Sequence, residues 1–263
     1  MAAADLFGGR SRRLVGTSWK MNKLRADADA FCTTLVADGA ALASRVDLFV
    51  VPPFTLIERV AAALGRTGIA VGAQNVHWDD AGAWTGEISA PQAGDAGASF
   101  VEIGHSERRA NFAETDGTVA RKVAAVARNG LGALVCIGDT ADEHRAGRSA
   151  DVLADQVDAA LSLAAAADPA AIAFAYEPVW AIGEHGTPAD PAFANDMIAG
   201  IAARAGARLG REVSVLYGGS VHRDNAAALA AQPDIDGLFI GRSAWDAAGL
   251  LAIAHLFADV RDR

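Results

Sequence analysis

The chain has 263 residues, 52% of them hydrophobic and 21% charged, which predicts a globular protein with a filled core. Its formal net charge of -9 argues against a surface that binds nucleic acid or an anionic membrane, because both partners are negatively charged and bind to positively charged surfaces. Two distant cysteines, Cys32 and Cys136, offer neither a disulfide framework nor a zinc site, and no apolar run resembles a signal peptide or a membrane span, so we expect a cytoplasmic protein.

Short apolar runs alternate with longer helical segments along the chain. Residues 1–12 are predicted to form a flexible tail and residues 13–263 a single domain. The predicted strands cover 13–19, 46–51, 69–74, 100–104, 131–137, 171–176, 213–217 and 236–240. Helical periodicity covers segments that include 26–42, 54–64, 117–129, 149–167, 193–209 and 244–260.

This alternation of strand and helix indicates parallel strands joined by crossover helices. Eight such units in about 250 residues close most readily as a (β/α)8 barrel. A doubly wound open sheet is the alternative, because a count of strands does not prove closure. The absence of a G-x-G-x-x-G sequence after the first strand argues against that alternative.

Polar residues follow several predicted strands at the carboxyl ends, where barrels place their chemistry. Lys20 follows the first strand, His105 the fourth and Glu177 the sixth. A carboxylate can accept a proton, an imidazole can polarise a carbonyl, and a lysine can hold an anion. Each residue alone has an ordinary structural explanation, but together they indicate proton abstraction next to a carbonyl.

Glycine-rich turns follow the last two strands, at Gly218, Gly219 and Ser220 and again at Gly241. Backbone N–H groups in such turns bind phosphate, and barrels commonly bind it after strands seven and eight. The other histidines show no H-x-x-x-H spacing, so neither a metal nor a cofactor is expected. We therefore expect a small phosphorylated substrate.

Several motifs in register resemble the triosephosphate isomerase family, from residue 13 onward. They are G-T-S-W-K-M-N, G-A-Q-N-V-H-W, T-G-E-I-S, G-H-S-E-R-R, C-I-G-D-T, A-Y-E-P-V-W-A-I-G, L-Y-G-G-S-V and D-G-L-F-I-G-R-S. The resemblance implies a TIM barrel with Glu177 as the base, His105 as the neutral electrophile and Lys20 as the cationic anchor. It also implies Ser106 and Glu107 as supporting residues.

The segment after the sixth strand resembles the closing lid of that family. Its residues are Pro178, Val179, Trp180, Ala181, Ile182 and Gly183. Closure would exclude water and bring the Gly183 N–H group onto a phosphate. A static loop is the alternative.

The long aromatic segment 75–89 is predicted to be covered by a partner, because Trp78 and Trp84 are unfavourable in water. The resemblance implies a homodimer. In it, this loop brings Thr85 near the active site of the second subunit and Glu87 near the Arg108 of that subunit.

Three departures from the family pattern concern the substrate rim. Ser18 stands where the family has Asn, Arg242 stands where it has a second Gly, and segment 183–188 is shorter than the usual hinge. With F-I-G-R-S-A-W, these features resemble a subgroup that isomerises four-carbon erythrulose phosphates. Ser18, Gly183, Ser220, Gly241 and Arg242 are the expected substrate contacts.

The resemblance thus implies conversion of erythrulose 1-phosphate to erythrulose 4-phosphate through an enediol. A glycolytic triosephosphate isomerase, acting on dihydroxyacetone phosphate, is one alternative. A non-catalytic phosphosugar-binding barrel is another, although it would have little need of Glu177, His105 and a lid together. A different phosphosugar barrel enzyme, such as a lyase, does not explain G-H-S-E-R-R or Y-E-P-V-W.

Overall fold

The predicted strands pair side by side in chain order and close a barrel in the computed structural model, which describes residues 6–10, 13–39, 42, 44–164, 171–183 and 186–262. The strands are β1 (Leu14–Ser18), β2 (Asp47–Val51), β3 (Ala70–Ala73), β4 (Phe100–Ile103), β5 (Gly132–Ile137), β6 (Ile172–Tyr176), β7 (Val215–Tyr217) and β8 (Gly237–Ile240). Every pairing is parallel, and β1 meets β8 with Leu14 opposite Gly237. The (β/α)8 prediction is confirmed, and the open-sheet alternative is wrong.

Helices connect the strands and cover the outside of the barrel. They are α1 (Arg25–Asp38), α2 (Ile57–Leu64), α3 (Ala90–Asp95), α4 (Ser106–Asn111), α5 (Asp116–Arg128), α6 (Ala141–Arg145), α7 (Ser149–Leu161), α8 (Pro191–Leu209), α9 (Arg223–Ala230) and α10 (Ala247–Arg261). Short 3-10 turns occur at Phe54–Leu56, Val179–Ala181 and Arg242–Ala244. None of the helices in the described ranges is long and apolar enough to cross a bilayer.

Sequence periodicity finds the long helices but misses the short ones. The predicted helix at 54–64 begins as a 3-10 turn, and the one at 149–167 ends at Leu161, with 165–167 outside the described residues. The six-residue helix α3 depends on its cap instead of on periodicity. Ser89 Oγ accepts from the Gln92 N–H group, Gln92 Oε1 accepts from the Ser89 N–H group, and Pro91 lies in the first turn.

Large side chains fill the lower barrel interior where neighbouring strands carry glycine. Phe49 and Phe100 meet edge to face with ring centroids 5.5 Å apart. A Cβ atom on Gly16 would lie 2.3 Å from the Phe49 ring, and one on Gly72 would lie 2.5 Å from the Phe100 ring. Glycine is therefore required at both positions, because protein interiors leave no room for an extra methyl group at such distances.

The structure differs from the predicted flexible tail at residues 6–10. Leu6 and Phe7 are fully buried, and the Phe7 ring meets Phe100 edge to face at 5.2 Å. Ser214 Oγ donates to the Gly9 carbonyl at 3.0 Å. The segment is ordered because its two apolar side chains fill the end of the barrel at which the strands begin. Residues 1–5 and 11–12 of the predicted tail lie outside the described residues.

Replacing Phe7 with Ala should lower the free energy of unfolding by about 3–5 kcal/mol, because a large buried side chain is lost and a cavity remains. Denaturant titration of both proteins measures this difference. Leu163→Ala is the matched control, since Leu163 is 47% exposed and its truncation should change stability by about 0.5 kcal/mol or less. Equal, small effects of both changes would show that residues 6–10 do not close the barrel in solution.

Candidate active site

The carboxyl ends of the strands surround a cavity of about 310 Å³, which suits a small metabolite. The predicted residues that line it are Ser18, Lys20, His105, Glu107, Glu177, Ile182, Gly183, Gly218, Gly219, Ser220, Gly241 and Arg242. Ser106, directly after His105, is the first residue of α4, and it and the lid residues 178–181 are not among the lining residues. The structure therefore brings the separately predicted groups into one site.

Glu177 directly follows β6 and is 3% exposed. Its Oε1 lies 3.6 Å from His105 Nε2, and its buried Oε2 has no hydrogen-bond partner within the described part of the chain. Gly218 makes room for it, since a Cβ atom there would lie 2.8 Å from Glu177 Cγ. The carboxyl group is thus held in the cavity with one oxygen uncommitted.

The pKa of Glu177 is raised to about 8. Burial is the main cause because it disfavours the charged carboxylate, and the nearby carboxyl of Glu102 raises the pKa further. The positive charge of Lys20 acts in the opposite direction. Glu177 is consequently a stronger proton acceptor than an exposed glutamate once it is ionised.

His105 is held as a neutral imidazole of one tautomer. Its Nδ1 accepts a hydrogen bond of 3.1 Å from the Glu107 N–H group at the start of α4, so the neutral ring carries its proton on Nε2. Burial, followed by the charge of Lys20, lowers the pKa of His105 to about 4. The ring can therefore donate from Nε2 toward the cavity without being charged.

Lys20 has a left-handed backbone, with φ of 52°, which is uncommon for a residue other than glycine. Gln74 Nε2 donates to the Lys20 carbonyl at 2.9 Å and to the Val51 carbonyl at 3.2 Å, which holds this conformation. The Lys20 ammonium group lies 2.7 Å from Glu107 Oε1. Strain of this kind is found at functional sites, where the surrounding structure fixes the direction of a side chain.

Ser18 lies at the end of β1 and is 4% exposed. Its Oγ donates to Glu102 Oε2 at 2.9 Å, and its carbonyl accepts from Trp245 Nε1 at 3.1 Å. Neither Glu102 nor Trp245 was predicted as a site residue. The signal for Glu102 is present in the sequence, since a charged residue inside the apolar run F-V-E-I is costly to bury.

Asp139, also missed by the sequence prediction, anchors the predicted lid. Trp180 Nε1 donates to Asp139 Oδ2 at 3.1 Å, and Tyr176 donates its hydroxyl to Oδ1 at 2.9 Å. The His144 ring stacks on Trp180 with centroids 4.3 Å apart. Asp139 belongs to the quoted motif C-I-G-D-T, but its fully buried position could not be recognised without the fold.

The lid also contacts the glycine-rich turn after β7. The N–H group and the hydroxyl of Ser220 both donate to the Ala181 carbonyl, at 3.1 and 2.6 Å. Gly183 has φ of 92°, a conformation that favours glycine. Arg242 is exposed at the cavity edge, and its guanidinium forms no hydrogen bond or ion pair with the described residues. Residues 184 and 185 of the predicted hinge lie outside the described residues.

The loop predicted to form a subunit contact lies apart from the cavity. Thr85 and Glu87 are exposed at its tip, and His77 lies between Trp78 and Trp84 with ring centroids 4.2 and 4.4 Å away. Arg108 forms a 2.7 Å ion pair with Glu114 of its own chain. In the described ranges no three metal-ligating side chains come together.

Comparison with known proteins agrees with this geometry. The family model described as triosephosphate isomerase matches residues 13–257. The chain belongs to the triosephosphate isomerase family. It is 52% identical to a protein of Mesorhizobium japonicum, over 91% of this chain and 94% of that one, and 51% identical to one of Rhizobium meliloti, over 93% and 96%. Both relatives are named L-erythrulose-1-phosphate isomerase.

A solved triosephosphate isomerase from Bartonella henselae has the same fold, with a TM-score of 0.84 and 35% identity. The match covers 94% of this chain and 99% of that one. The resemblance found from the sequence motifs is therefore confirmed. As a triosephosphate isomerase family member, this chain is an isomerase, so the non-catalytic alternative is set aside.

Because an ionised carboxylate is needed to accept a proton, kcat/KM should fall about tenfold per pH unit below about pH 8, where Glu177 becomes protonated. It should level off above that pH. His105, with a pKa of about 4, should cause no further change of kcat/KM with pH near neutrality. Initial rates from about pH 6 to about pH 9 measure the profile.

Glu177→Gln is the control for this profile. Its amide cannot accept the proton, so turnover should fall by ~10²–10⁴-fold while phosphate-ligand affinity changes only a few fold. A flat wild-type profile, or a Glu177→Gln variant as active as the wild type, would contradict the assignment of Glu177.

Proposed function

We propose that this isomerase interconverts erythrulose 1-phosphate and erythrulose 4-phosphate by moving the carbonyl group between the second and third carbons. The names of the two relatives support this substrate. The observation that carries the reaction type is the juxtaposition of an uncommitted Glu177 carboxyl oxygen and a neutral His105 Nε2–H in one cavity.

In this reaction the Glu177 carboxylate removes the proton from the third carbon of erythrulose 1-phosphate. The electron pair of that C–H bond forms the C2–C3 double bond, and the second-carbon oxygen takes a proton from His105 Nε2 to give the enediol. The third-carbon hydroxyl then returns a proton to His105, and Glu177 delivers its proton to the second carbon. Lys20 stabilises negative charge that develops on the oxygens.

The phosphate group is assigned to the turns after β7 and β8 and to the lid. Gly183, Ser220 and Gly241 offer backbone N–H groups at the cavity, and Arg242 adds a cation at its edge. The Ser220 N–H group and hydroxyl are held by Ala181, so phosphate binding requires the lid to move relative to this turn. Such movement would exclude water from the enediol.

The four-carbon substrate fits the same site as dihydroxyacetone phosphate, because the two compounds differ only at the end remote from the phosphate. It has one additional hydroxymethyl group, so the phosphate turns, Lys20 and the enediol chemistry can be retained. Ser18 provides space and a small hydroxyl in the cavity wall where the family has a larger amide. Glycolytic isomerisation of dihydroxyacetone phosphate remains the second candidate, supported by the structure from Bartonella henselae.

Measuring L-erythrulose 1-phosphate and dihydroxyacetone phosphate side by side tests the substrate. We expect kcat/KM to be at least tenfold higher for the four-carbon compound, because a shorter substrate leaves polar groups of the cavity without their partner. In deuterated water, deuterium from the solvent should enter the product at the carbon to which Glu177 returns a proton, the second carbon of the substrate. A rate near ~10⁸ M⁻¹s⁻¹ on dihydroxyacetone phosphate with negligible erythrulose turnover would instead identify glycolytic isomerisation.

Arg242→Gly should raise KM for the four-carbon substrate severalfold with less effect on kcat, because a cation at the cavity edge binds ground state and transition state alike. Measuring kcat and KM at steady state for the wild type and for Arg242→Gly tests this expectation. Arg66→Gly, an exposed change far from the cavity in sequence and fold, is the control for loss of positive charge. An unchanged KM in Arg242→Gly would mean that this guanidinium faces solvent.

The proposed assembly is a homodimer in the cytoplasm. Exposed apolar side chains support it, namely Met21 at 95%, Trp84 at 46% and Phe112 at 66% exposure. An interface that covers such side chains removes apolar surface from water, which favours association. In this assembly the loop with Thr85 and Glu87 inserts into the second subunit, Thr85 near its active site and Glu87 near its Arg108.

Sedimentation equilibrium should give twice the mass of one chain for the wild type. Trp84→Asp should shift the protein toward the monomer and lower kcat, because a charge replaces an apolar contact at the loop. Leu163→Asp is the control, since Leu163 is comparably exposed but lies just after the end of α7, outside the loop 75–89. A wild-type protein that is monomeric yet fully active would contradict the assembly.

A further inference from the structure

The upper interior of the barrel contains a second buried carboxyl besides Glu177. Glu102 lies in the middle of β4, two residues after the interior side chain of Phe100, and pairs in register with Leu134 of β5. It is 3% exposed. Since side chains alternate along a strand, Glu102 points into the barrel, where apolar residues form the layer below it.

A carboxyl group in such a place needs a hydrogen-bond donor, and Ser18 provides it. Ser18 Oγ lies 2.9 Å from Glu102 Oε2. The Ser18 backbone is fixed from the other side, because Trp245 Nε1 donates to the Ser18 carbonyl at 3.1 Å. The hydroxyl of Ser18 is therefore oriented by a residue that does not itself line the cavity.

This hydrogen bond determines whether the Ser18 hydroxyl donates a hydrogen bond to a ligand or accepts one from it. A serine hydroxyl has one proton to donate and two lone pairs that accept. Burial raises the pKa of Glu102 to about 7, and above that pH the ionised carboxylate takes the Ser18 proton. The Ser18 oxygen can then only accept a hydrogen bond from a molecule in the cavity. It is complementary to a ligand O–H group and not to a carbonyl oxygen.

The position of Ser18 indicates which ligand hydroxyl it meets. Ser18 neighbours Gly241 at the end of β1, because Thr17 stands opposite Ile240 of β8, but its hydroxyl is directed across the barrel to Glu102. Glu102 belongs to β4, the strand that His105 follows, so the Ser18 oxygen lies on the side of the cavity away from the phosphate turns. An acceptor beside the reacting carbons meets the part of the substrate remote from the phosphate. The terminal hydroxymethyl group of a four-carbon sugar phosphate supplies a donor there, and a three-carbon substrate has no fourth carbon to supply it.

We propose that Glu102 is a positioning residue that holds Ser18 as the hydrogen-bond acceptor for the terminal hydroxyl of the four-carbon substrate. This inference rests on the proposed function. Selection between four and three carbons is then made by a pair of side chains, one that touches the substrate and one beneath it.

Glu102 has a second effect that the test must separate. Its carboxyl contributes to the raised pKa of Glu177, so changing Glu102 also changes the base. That effect concerns the proton transfer itself and applies to three- and four-carbon ligands alike. A comparison of the two ligands in the same protein, at one pH above the pKa of Glu102, therefore isolates the contribution that acts through Ser18.

The experiment measures KM for L-erythrulose 1-phosphate and the inhibition constant Ki of dihydroxyacetone phosphate as competitor in the same assay. Glu102→Leu should raise the ratio of KM to Ki about five- to tenfold, because Ser18 loses its orienting partner. Glu102→Gln should stay within about twofold of the wild type, since an amide oxygen also accepts the Ser18 proton.

Ser18→Ala should raise the same ratio as much as Glu102→Leu does, and the double variant should raise it no further, because both changes remove one interaction. Ser18→Ala also keeps the test independent of whether a leucine is tolerated at position 102. Equal changes of KM and Ki in Glu102→Leu, a loss in Glu102→Gln as large as in Glu102→Leu, or additive effects in the double variant would each overturn the inference.

The outcome for the wild type distinguishes this inference from the proposed function. Turnover of L-erythrulose 1-phosphate by the wild type with unchanged ratios in the variants overturns the role of Glu102 alone. Absence of that turnover in the wild type overturns the proposed substrate, and the inference with it.

Discussion

As the proposed base, the carboxyl group of Glu177 has to be shielded enough from water to be a strong proton acceptor and ionised often enough to act as one. These two requirements oppose each other. Burial raises its pKa to about 8, which still leaves an ionised fraction near neutral pH. A direct ion pair would make ionisation easier but would weaken the base. Among the described residues, no cation is paired directly with this carboxyl as long as His105 stays neutral.

Two neighbouring groups illustrate this arrangement. The ammonium group of Lys20 is directed at Glu107, 2.7 Å away, and acts on Glu177 only through space. The imidazole of His105, with its Nε2 3.6 Å from Glu177 Oε1, is kept neutral by burial and by the N–H group that donates to its Nδ1. Both groups can thus stabilise charge that develops on a substrate without first neutralising the base.

Much of this arrangement could be predicted from the sequence because it depends on local pattern. Apolar runs bounded by turns gave the strands to within one or two residues, and the strand ends gave Lys20, His105 and Glu177. The helix Arg223–Ala230 was not among the predicted segments, because its sequence R-D-N-A-A-A-L-A has a single large apolar residue and so no distinct periodicity. The helix Ile57–Leu64 is equally short but carries Ile57, Val60 and Leu64 on one face. Leu6 and Phe7 were assigned to a tail because their burial partners lie on β4 and elsewhere in the barrel interior.

Glu102 and Asp139 could not be assigned for a different reason. Each acts through contacts between residues far apart in the chain, Glu102 with Ser18 and Asp139 with Trp180. An acidic residue inside an apolar strand indicates that a partner exists, but only the closed barrel identifies it. Residues that hold other functional residues are for this reason harder to find from sequence than those that line the cavity.

Closure of the sheet between β1 and β8 has a consequence for synthesis of the protein. The edge of β1 that pairs with β8 stays open until residues 237–240 leave the ribosome, because no earlier strand bonds to it. At typical elongation rates this interval is on the order of tens of seconds. During it the nascent chain presents an unpaired strand edge, a feature that promotes association between chains. Exposure of this edge should accordingly end only when the last strand has left the ribosome and pairs with β1.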